Sequence, residues 1–162
     1  DIGTGSGAIA LTLKAEKPDW QVTATDISQD ALNLAAENAQ NLDVDVKFIK
    51  SNLFAHLDDK KYDLIVSNPP YISHGEWEIM GPSVRKYEPQ LALFADSDGL
   101  AVYEELAREL PAHLNEKGRV YLEIGYMQGA SVSRLMQEAF PQAQVEVIPD
   151  FSGKDRVIYI GL

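Results

Sequence analysis

The sequence predicts an α/β fold in which an open, mostly parallel sheet ends in an antiparallel hairpin. Short apolar runs alternate with stretches of helical periodicity along the chain, and this alternation is typical of parallel strands joined by crossover helices. The last two apolar runs are joined only by Ser152-Gly-Lys-Asp155. Because that joint is too short for a crossover helix, we expect the last two strands to pair antiparallel.

The individual helices and strands are predicted from their periodicity and flanking residues. One face of the helix at 30–41 is expected to carry Ala31, Leu34, Ala35 and Asn38, at spacings of three and four. Gly118 follows the last periodic residue of the helix at 98–114 and is expected to end it. Strands are predicted at residues 21–26, 44–50, 62–67, 119–124, 145–148 and 156–160, and helices at 30–41, 98–114 and 128–140, with a further helix opening at Ile9.

Length and charge restrict the class of protein. The 162 residues are enough for one domain with a full core, and no apolar run approaches the roughly 18 residues of a membrane helix. The net charge of −11 repels phosphate backbones, so nucleic acid is disfavoured as a partner. Cysteine is absent, which excludes disulfides and cysteine-based metal sites and agrees with a cytoplasmic protein.

The chain opens on Asp1-Ile-Gly3, a pattern typical of the end of a strand and the turn after it. The first strand of such a sheet lies in its middle, and losing the body of that strand would leave backbone groups unpaired. We therefore expect the first strand to extend upstream and the 162 residues to be one domain of a longer protein.

A glycine-rich turn, Gly3-Thr4-Gly5-Ser6-Gly7, opens the first helix. Glycines allow close approach of a ligand to the backbone and permit positive φ. Asp26 ends the next predicted strand, where a carboxylate can accept hydrogen bonds from ribose hydroxyls. An adenosine-containing methyl donor and a dinucleotide both fit this pair, and a plain glycine turn with a capping acid is the simpler interpretation. The loop by itself does not choose between cofactors.

A second motif, Asn68-Pro69-Pro70-Tyr71, directly follows the predicted strand at 62–67. Ligands of open α/β sheets bind at the carboxyl ends of strands. The side-chain carbonyl of Asn68 and the backbone carbonyl of Pro69 are candidate acceptors for the two N–H bonds of a planar amide or amine, which is a weak nucleophile. The prolines hold the main chain rigid, and Tyr71 offers a flat face for a planar substrate or a cation. A structural Asn-Pro turn is the alternative.

Three histidines, His56, His74 and His113, are scattered without ligand spacing, so no metal site is predicted. The longest predicted connection runs over 72–97, and connections of that length are usually functional or disordered. Within it Glu88 is a candidate support for the substrate loop, with Arg85 as its partner. The alternative is a plain surface salt bridge between the two residues.

Together these motifs resemble the HemK/PrmC family of protein-glutamine methyltransferases, whose target is the glutamine of the Gly-Gly-Gln motif in peptide-chain release factors. The resemblance rests on Asp1-Ile-Gly-Thr-Gly-Ser-Gly-Ala8, Asp26 and Asn68-Pro-Pro-Tyr71, and it extends to Val84-Arg-Lys-Tyr-Glu88 and Leu122-Glu-Ile-Gly125. It covers nearly the whole chain. The combination of motifs is specific, whereas either motif alone is not.

The resemblance implies a Rossmann-like class I S-adenosylmethionine-dependent methyltransferase fold, with residues 1–162 as the catalytic domain. It implies that Gly3 to Gly7 bind the methionine end of the donor, Asp26 the ribose, and Asn52 and Leu53 the adenine. The Asn68-to-Tyr71 motif would hold the glutamine amide, with Asn68 also near the donor. Asn52 departs from the aspartate common at that place, and the helical domain that precedes this one in the family is not in the sequence.

The resemblance implies a release factor as protein substrate, with no membrane and no direct nucleic-acid partner. Four alternatives stay open: glutamine methylation of a ribosomal protein, methylation of an exocyclic base amine in DNA or RNA, a non-catalytic module that only binds the donor, and a dinucleotide oxidoreductase. Base methylation would require a flipped base and a phosphate-binding surface. The acidic composition argues against such a surface. The glycine-loop sequence favours release factors over ribosomal proteins.

Overall fold

The computed structural model describes residues 1–70 and 99–162. The chain divides into a first unit, Asp1–Lys60 with Ile65–Asn68, and a second unit, Lys61–Leu64 with Pro69–Leu162. Among the helices of the described residues, none is both long enough and apolar enough to cross a membrane.

The first unit contains two helices and a small parallel sheet. Helix α1 is Ala8–Glu16, strand β1 is Thr23–Asp26, helix α2 is Gln29–Asn41 and strand β2 is Lys47–Lys50. Strands β1 and β2 pair in parallel, with Asp26 opposite Lys50. The apolar core between helices and sheet consists of Ala10, Leu11, Ala24, Ala39 and Val46, with Val22, Val44 and Phe48 packed against it.

Residue Ile2 lies between two strands of this unit. It forms parallel bridges to Thr25 of β1 and to Ser67, the last residue of β3, Tyr62–Ser67. The N–H of Ile2 donates to the carbonyl of Val66 at 2.9 Å, and its side chain is buried. The opening residues therefore occupy a strand position inside the sheet, as the sequence pattern of Asp1-Ile-Gly3 predicts.

The two helices of the first unit begin in different ways. Gly7, with φ 86°, precedes α1 and provides no side-chain cap, but the carboxylate of Asp1 accepts from the N–H of Ala10 at 3.1 Å. An acid from outside the helix thus satisfies one of its first N–H groups. Helix α2 is capped locally, because the Ser28 hydroxyl accepts from the N–H of Ala31.

The second unit contains helix α3, Ala101–His113, strand β4, Leu114–Glu123, helix α4, Gly129–Ala139, and strands β5, Gln144–Pro149, and β6, Asp155–Gly161. The sheet order is β3-β4-β6-β5. Strand β6 pairs antiparallel with both β4 and β5, which confirms the predicted carboxyl-terminal hairpin. Among the residues of this unit that the structure describes, the fully buried apolar side chains are Tyr103, Leu106, Leu110, Val120, Leu122, Ile124, Val132, Met136, Ile158 and Ile160.

Two local predictions are wrong. Gly118 does not end a helix, because α3 stops at His113 and the chain enters β4 at Leu114, which has extended backbone angles. Burial of the Leu114 side chain and Pro111 in the last turn of α3 favour this direct transition. The buried face of α2 is also displaced, since Leu34 is 48% exposed and the buried residues are Leu32, Ala35 and Ala39.

Candidate functional site

Three of the predicted site positions, Gly3, Asp26 and Asn68, lie at one edge of the first unit. The backbone at Ile2 pairs in parallel with β1 and with the end of β3. Strand β2 also pairs in parallel with β1. The chain segments that follow these strands therefore leave the sheet on the same side. Gly3, Ser51 and Asn68 begin such segments, and Asp26 is the last residue of β1. Parallel pairing therefore brings the sequence motifs together.

The glycine loop, Gly3 to Gly7, contains three left-handed residues, with φ 72° at Gly3, 56° at Gly5 and 86° at Gly7. A Cβ atom added to Gly3 or Gly5 would meet no atom of the described residues within 4 Å. A Cβ atom on Gly7 would lie 3.0 Å from Leu11 Cδ1 and 3.1 Å from Ala35 Cβ. Gly3 and Gly5 thus border open space, whereas Gly7 is required for packing between the two helices.

The Asp26 carboxylate is hydrogen-bonded to the glycine loop and to the start of α2. Its Oδ2 accepts from the N–H of Gly5 at 2.9 Å, and its Oδ1 accepts from the N–H of Ser28 at 2.8 Å. A carboxylate has about four acceptor positions, so capacity remains for hydroxyl donors of a ligand. Asp26 is half-buried, which leaves part of the side chain accessible.

The side chain of Asp1 contributes to the site in a way that the sequence pattern does not predict. Its Oδ2 accepts from the Thr4 hydroxyl as well as from the N–H of Ala10. Its Oδ1 is buried and has no hydrogen-bond partner in the part of the chain that the structure describes. An acid two residues before the first loop glycine was the available signal. Asp1 therefore connects the glycine loop to the start of α1 through the hydrogen bonds of Oδ2.

Asn38 is a second residue whose role in the loop the sequence did not indicate. From α2, its Nδ2 donates to the carbonyl of Ser6 at 3.0 Å, across 32 positions of sequence. An open groove of about 390 Å³ lies here and is lined by residues of the loop, α1 and α2, among them Ser6, Asn38 and Asn41. Neither Asp26 nor Asn68 lines that groove, so we place the candidate site at the sheet edge and not in the groove.

The turn after β2 carries the predicted adenine contacts. Ser51 is buried, its N–H donates to the carbonyl of Asp26 at 3.0 Å, and its hydroxyl accepts from the N–H of His56. Asn52 is exposed, and Leu53 has φ 44°, an uncommon conformation for a residue other than glycine. The turn therefore holds Asn52 and Leu53 next to β1 in a defined, strained shape.

The Asn-Pro-Pro-Tyr motif begins in the first unit. The buried Ser67 hydroxyl donates to the carbonyl of Ile2 at 2.7 Å, which fixes the end of β3. Asn68 is exposed, and no described residue makes a hydrogen bond to its side chain. Pro69 is buried and Pro70 is half-buried. Tyr71 and Glu88, like the rest of the predicted connection at 72–97, lie outside the described residues.

Metal-ligating side chains do not gather at this edge. Among residues 1–70 and 99–162, no three His, Cys, Asp or Glu side chains come close enough to hold a metal ion. The polar groups that the edge offers are backbone N–H groups, the carboxylates of Asp1 and Asp26, and the amides of Asn52 and Asn68. This set is suited to binding an organic ligand with hydroxyl, amino and carboxylate groups.

The chain is similar in sequence to known methyltransferases. The model of the methyltransferase small domain family matches residues 1–83. A relative from Streptococcus pneumoniae named release factor glutamine methyltransferase is 49% identical over 160 residues, covering 99% of this chain. Relatives of the same name from other bacteria are 43–49% identical. The chain spans 57% of the length of the Streptococcus pneumoniae relative.

Solved structures share the fold. A ribosomal protein L11 methylase from Lactobacillus delbrueckii matches with a TM-score of 0.67 and 28% identity, over 99% of this chain and 66% of that chain. A 16S rRNA methyltransferase from Thermus thermophilus, solved in complex with S-adenosylmethionine and guanosine, matches with a TM-score of 0.65 and 17% identity over 98% of this chain and 35% of that chain. The predicted Rossmann-like class I methyltransferase fold is confirmed.

Proposed function

Since the chain belongs to the methyltransferase small domain family, we propose that it transfers a methyl group from S-adenosylmethionine to the glutamine amide nitrogen of the Gly-Gly-Gln motif in release factors. The observation that carries this proposal is the identity of 43–49%, over nearly the whole chain, to relatives that are named for this activity. Because the chain spans little more than half of those relatives, the substrate and the partner are both part of the proposal.

The fit of the donor is supported by the geometry of the first unit. The open space beside Gly3 and Gly5 lets a ligand approach the backbone closely. The first N–H groups of α1, apart from that of Ala10, which donates to Asp1, have no acceptor within the helix and suit a carboxylate. Asp26 would bind the ribose hydroxyls. Asn52 and Leu53, in the turn that follows β2 at the same edge, would lie beside the adenine.

In the proposed reaction the chain must position a poor nucleophile, the amide nitrogen of glutamine. When bound, S-adenosylmethionine supplies an electrophilic methyl group on a positively charged sulfur. We assign the Asn68 side-chain carbonyl and the Pro69 backbone carbonyl to the two N–H bonds of the glutamine amide. Pro70 would keep that backbone rigid, Tyr71 would face the planar amide, and Glu88 would support the loop. Holding the nitrogen in line with the methyl group supplies much of the rate. The N–C bond would form as the S–C bond breaks, S-adenosylhomocysteine would leave, and the nitrogen would release one proton to solvent.

The test is the transfer of labelled methyl to a release factor, beside a copy whose Gly-Gly-Gln glutamine is changed to alanine. The chain is assayed by itself and as a chimera in which it replaces its counterpart in the Streptococcus pneumoniae relative. We expect label on the first substrate and none on the second. A chimera that labels neither protein overturns the proposed substrate.

The alternative substrates are outcomes of the same assay. Label on a ribosomal protein or on nucleic acid, with none on the release factor, would keep the methyltransferase reaction and replace its target. Tight donor binding with no transfer to any of these acceptors would favour a binding module. Binding of a dinucleotide instead of S-adenosylmethionine would favour an oxidoreductase.

A further inference from the structure

We infer that Asn38 is a positioning residue for the methyl donor, because its side chain fixes the Ser6–Gly7 peptide of the glycine loop from helix α2. The inference rests on the proposed use of S-adenosylmethionine and extends it to a residue that need not touch the donor. It concerns the first unit only, where the loop and α2 are both described.

The Ser6–Gly7 peptide is hydrogen-bonded on both sides. Its carbonyl accepts from Asn38 Nδ2 at 3.0 Å, and its N–H donates to the carbonyl of Thr4 at 2.9 Å. The Ser6 carbonyl is not an acceptor of the helical ladder, because the N–H of Ala10, four residues later, donates to the Asp1 carboxylate instead. The Asn38 amide therefore holds the carbonyl side of this peptide, and the Thr4 carbonyl holds its N–H side.

A second contact of α2 with the same stretch of loop sets its position. Ala35 is fully buried, and its Cβ would be 3.1 Å from a Cβ atom on Gly7. Ala35 and Asn38 are three residues apart and hence on one face of the helix. Helix α2 thus contacts two consecutive loop residues, Gly7 by packing and Ser6 by a hydrogen bond.

The remaining loop residues are held by other groups. The Thr4 hydroxyl donates a hydrogen bond to the Asp1 carboxylate, and the Gly5 N–H donates to the Asp26 carboxylate. Without Asn38 the loop would keep these two hydrogen bonds and the one from the Gly7 N–H to the Thr4 carbonyl, but the Ser6 carbonyl would lose its donor. With a left-handed glycine at Gly7, the Ser6–Gly7 peptide could then change its orientation more easily. The apparent affinity for the donor would then fall in proportion to the fraction of chains with the binding-competent loop.

This role predicts a specific kinetic pattern. At saturating donor the bound ligand restores the loop, so kcat should be unchanged while KM for the donor rises. A loss of general structure in α2 would instead lower kcat and the melting temperature together. The two explanations therefore differ in a measurable way.

The experiment is a calorimetric titration of S-adenosylhomocysteine into the chain and its variants, with S-adenosylmethionine kinetics of the chimera alongside. Asn38→Ala should raise Kd roughly three- to tenfold, as expected for one net hydrogen bond. Asn38→Asp keeps the shape but cannot donate, so its Kd should rise at least as much. Asn41→Ala is the matched control, because Asn41 is an exposed asparagine on the same helix and borders the same groove; its Kd should stay within about twofold.

Wild-type affinity in Asn38→Ala or Asn38→Asp would overturn the inference, as would an equal loss in Asn41→Ala or a loss of kcat at saturating donor. If Asn38→Ala does not fold, the Kd of Asn38→Asp for S-adenosylhomocysteine tests the inference by itself. These outcomes differ from failure of the proposed function, which would appear as absence of donor binding in the unmodified chain and in the chimera.

Discussion

At the scale of single residues, Asp26 and Asn68 differ in whether their side chains contribute hydrogen bonds to the fold. Asp26 accepts hydrogen bonds from the glycine loop and from the start of α2, so it has a structural role before any ligand binds. Asn68 is exposed, and its side chain has no hydrogen-bond partner among the described residues. Substitutions at the two positions should therefore have different consequences.

We predict that Asn68→Ala lowers the rate of methyl transfer roughly 10²- to 10³-fold, the size of effect expected for a group acting mainly in the transition state. Donor affinity should change only a few-fold, and the melting temperature should hardly change because the side chain is exposed. Asn52→Ala is the matched control at the same edge and should raise KM for the donor with little change in kcat. An unchanged rate in Asn68→Ala would remove the assigned role.

For Asp26→Ala we expect the reverse pattern. The donor Kd should rise about tenfold or more, because hydrogen bonds to a charged group contribute about 1.5–3 kcal/mol each. The melting temperature should also fall, since the N–H groups of Gly5 and Ser28 lose their acceptor. Calorimetric titration and thermal unfolding measure the two effects separately. Unaltered donor binding would disprove the ribose assignment.

At the scale of the elements, the glycine loop combines a ligand-facing side with a packing side. Gly3 and Gly5 adjoin open space, whereas Gly7 is enclosed by Leu11 and Ala35. The sequence pattern predicts a glycine loop without distinguishing these glycines, because spacing along the chain does not reveal which residues pack behind each one.

The pair Gly5→Ala and Gly7→Ala tests this distinction. Both impose a left-handed conformation on alanine, which costs about 1–2 kcal/mol, and Gly7→Ala adds overpacking of about 1–3 kcal/mol. Gly7→Ala should therefore lower the free energy of unfolding more in urea denaturation. Gly5→Ala should keep most of the stability but lose donor binding, because its methyl group would occupy the open space. Equal stability of the two variants would contradict the assignment.

The β5–β6 hairpin has a charge-dependent turn. The pKa of Asp150 is lowered from 3.8, mainly by the hydrogen bond from the Lys154 N–H and further by the Ser152 N–H and Arg156. Because the folded-state pKa is depressed, the stabilisation by the carboxylate is present above about pH 4 and is lost as pH falls through the folded value. The melting temperatures of wild type and Asp150→Asn should differ at pH 7, and the difference should shrink as pH falls below about 4 towards the lowered folded-state pKa. A constant difference would contradict this linkage.

At the scale of the whole molecule, the described residues proposed to contact the donor lie within one unit, from Gly3 to Asn68. We therefore expect the chain and the chimera to bind S-adenosylhomocysteine with Kd values that agree within a few-fold. Methyl transfer to the release factor, in contrast, should be faster in the chimera if further parts of the relative recognise the protein substrate. Donor binding that appears only in the chimera would contradict this division.

Much of the fold could be predicted because it depends on local pattern. The order of strands and helices follows from periodicity, and the carboxyl-terminal hairpin follows from the short joint Ser152-Gly-Lys-Asp155. The predicted end of α3 at Gly118 failed because burial of Leu114 and the position of Pro111 outweigh the usual preference for glycine after a helix. The prediction that Leu34 lies on the buried face of α2 was wrong, because periodicity defines a helix face only to within about one position.

The sequence by itself determined the α/β class, the glycine loop, the acid at Asp26 and the position of Asn68 after a buried strand, because each depends on residues that are close together in the chain. Only the tertiary structure decided that Ile2 pairs with two strands, that Asp1 caps α1, and that Asn38 reaches the carbonyl of Ser6. These contacts join residues whose proximity is created by parallel strand pairing and helix packing, and no local preference encodes that proximity.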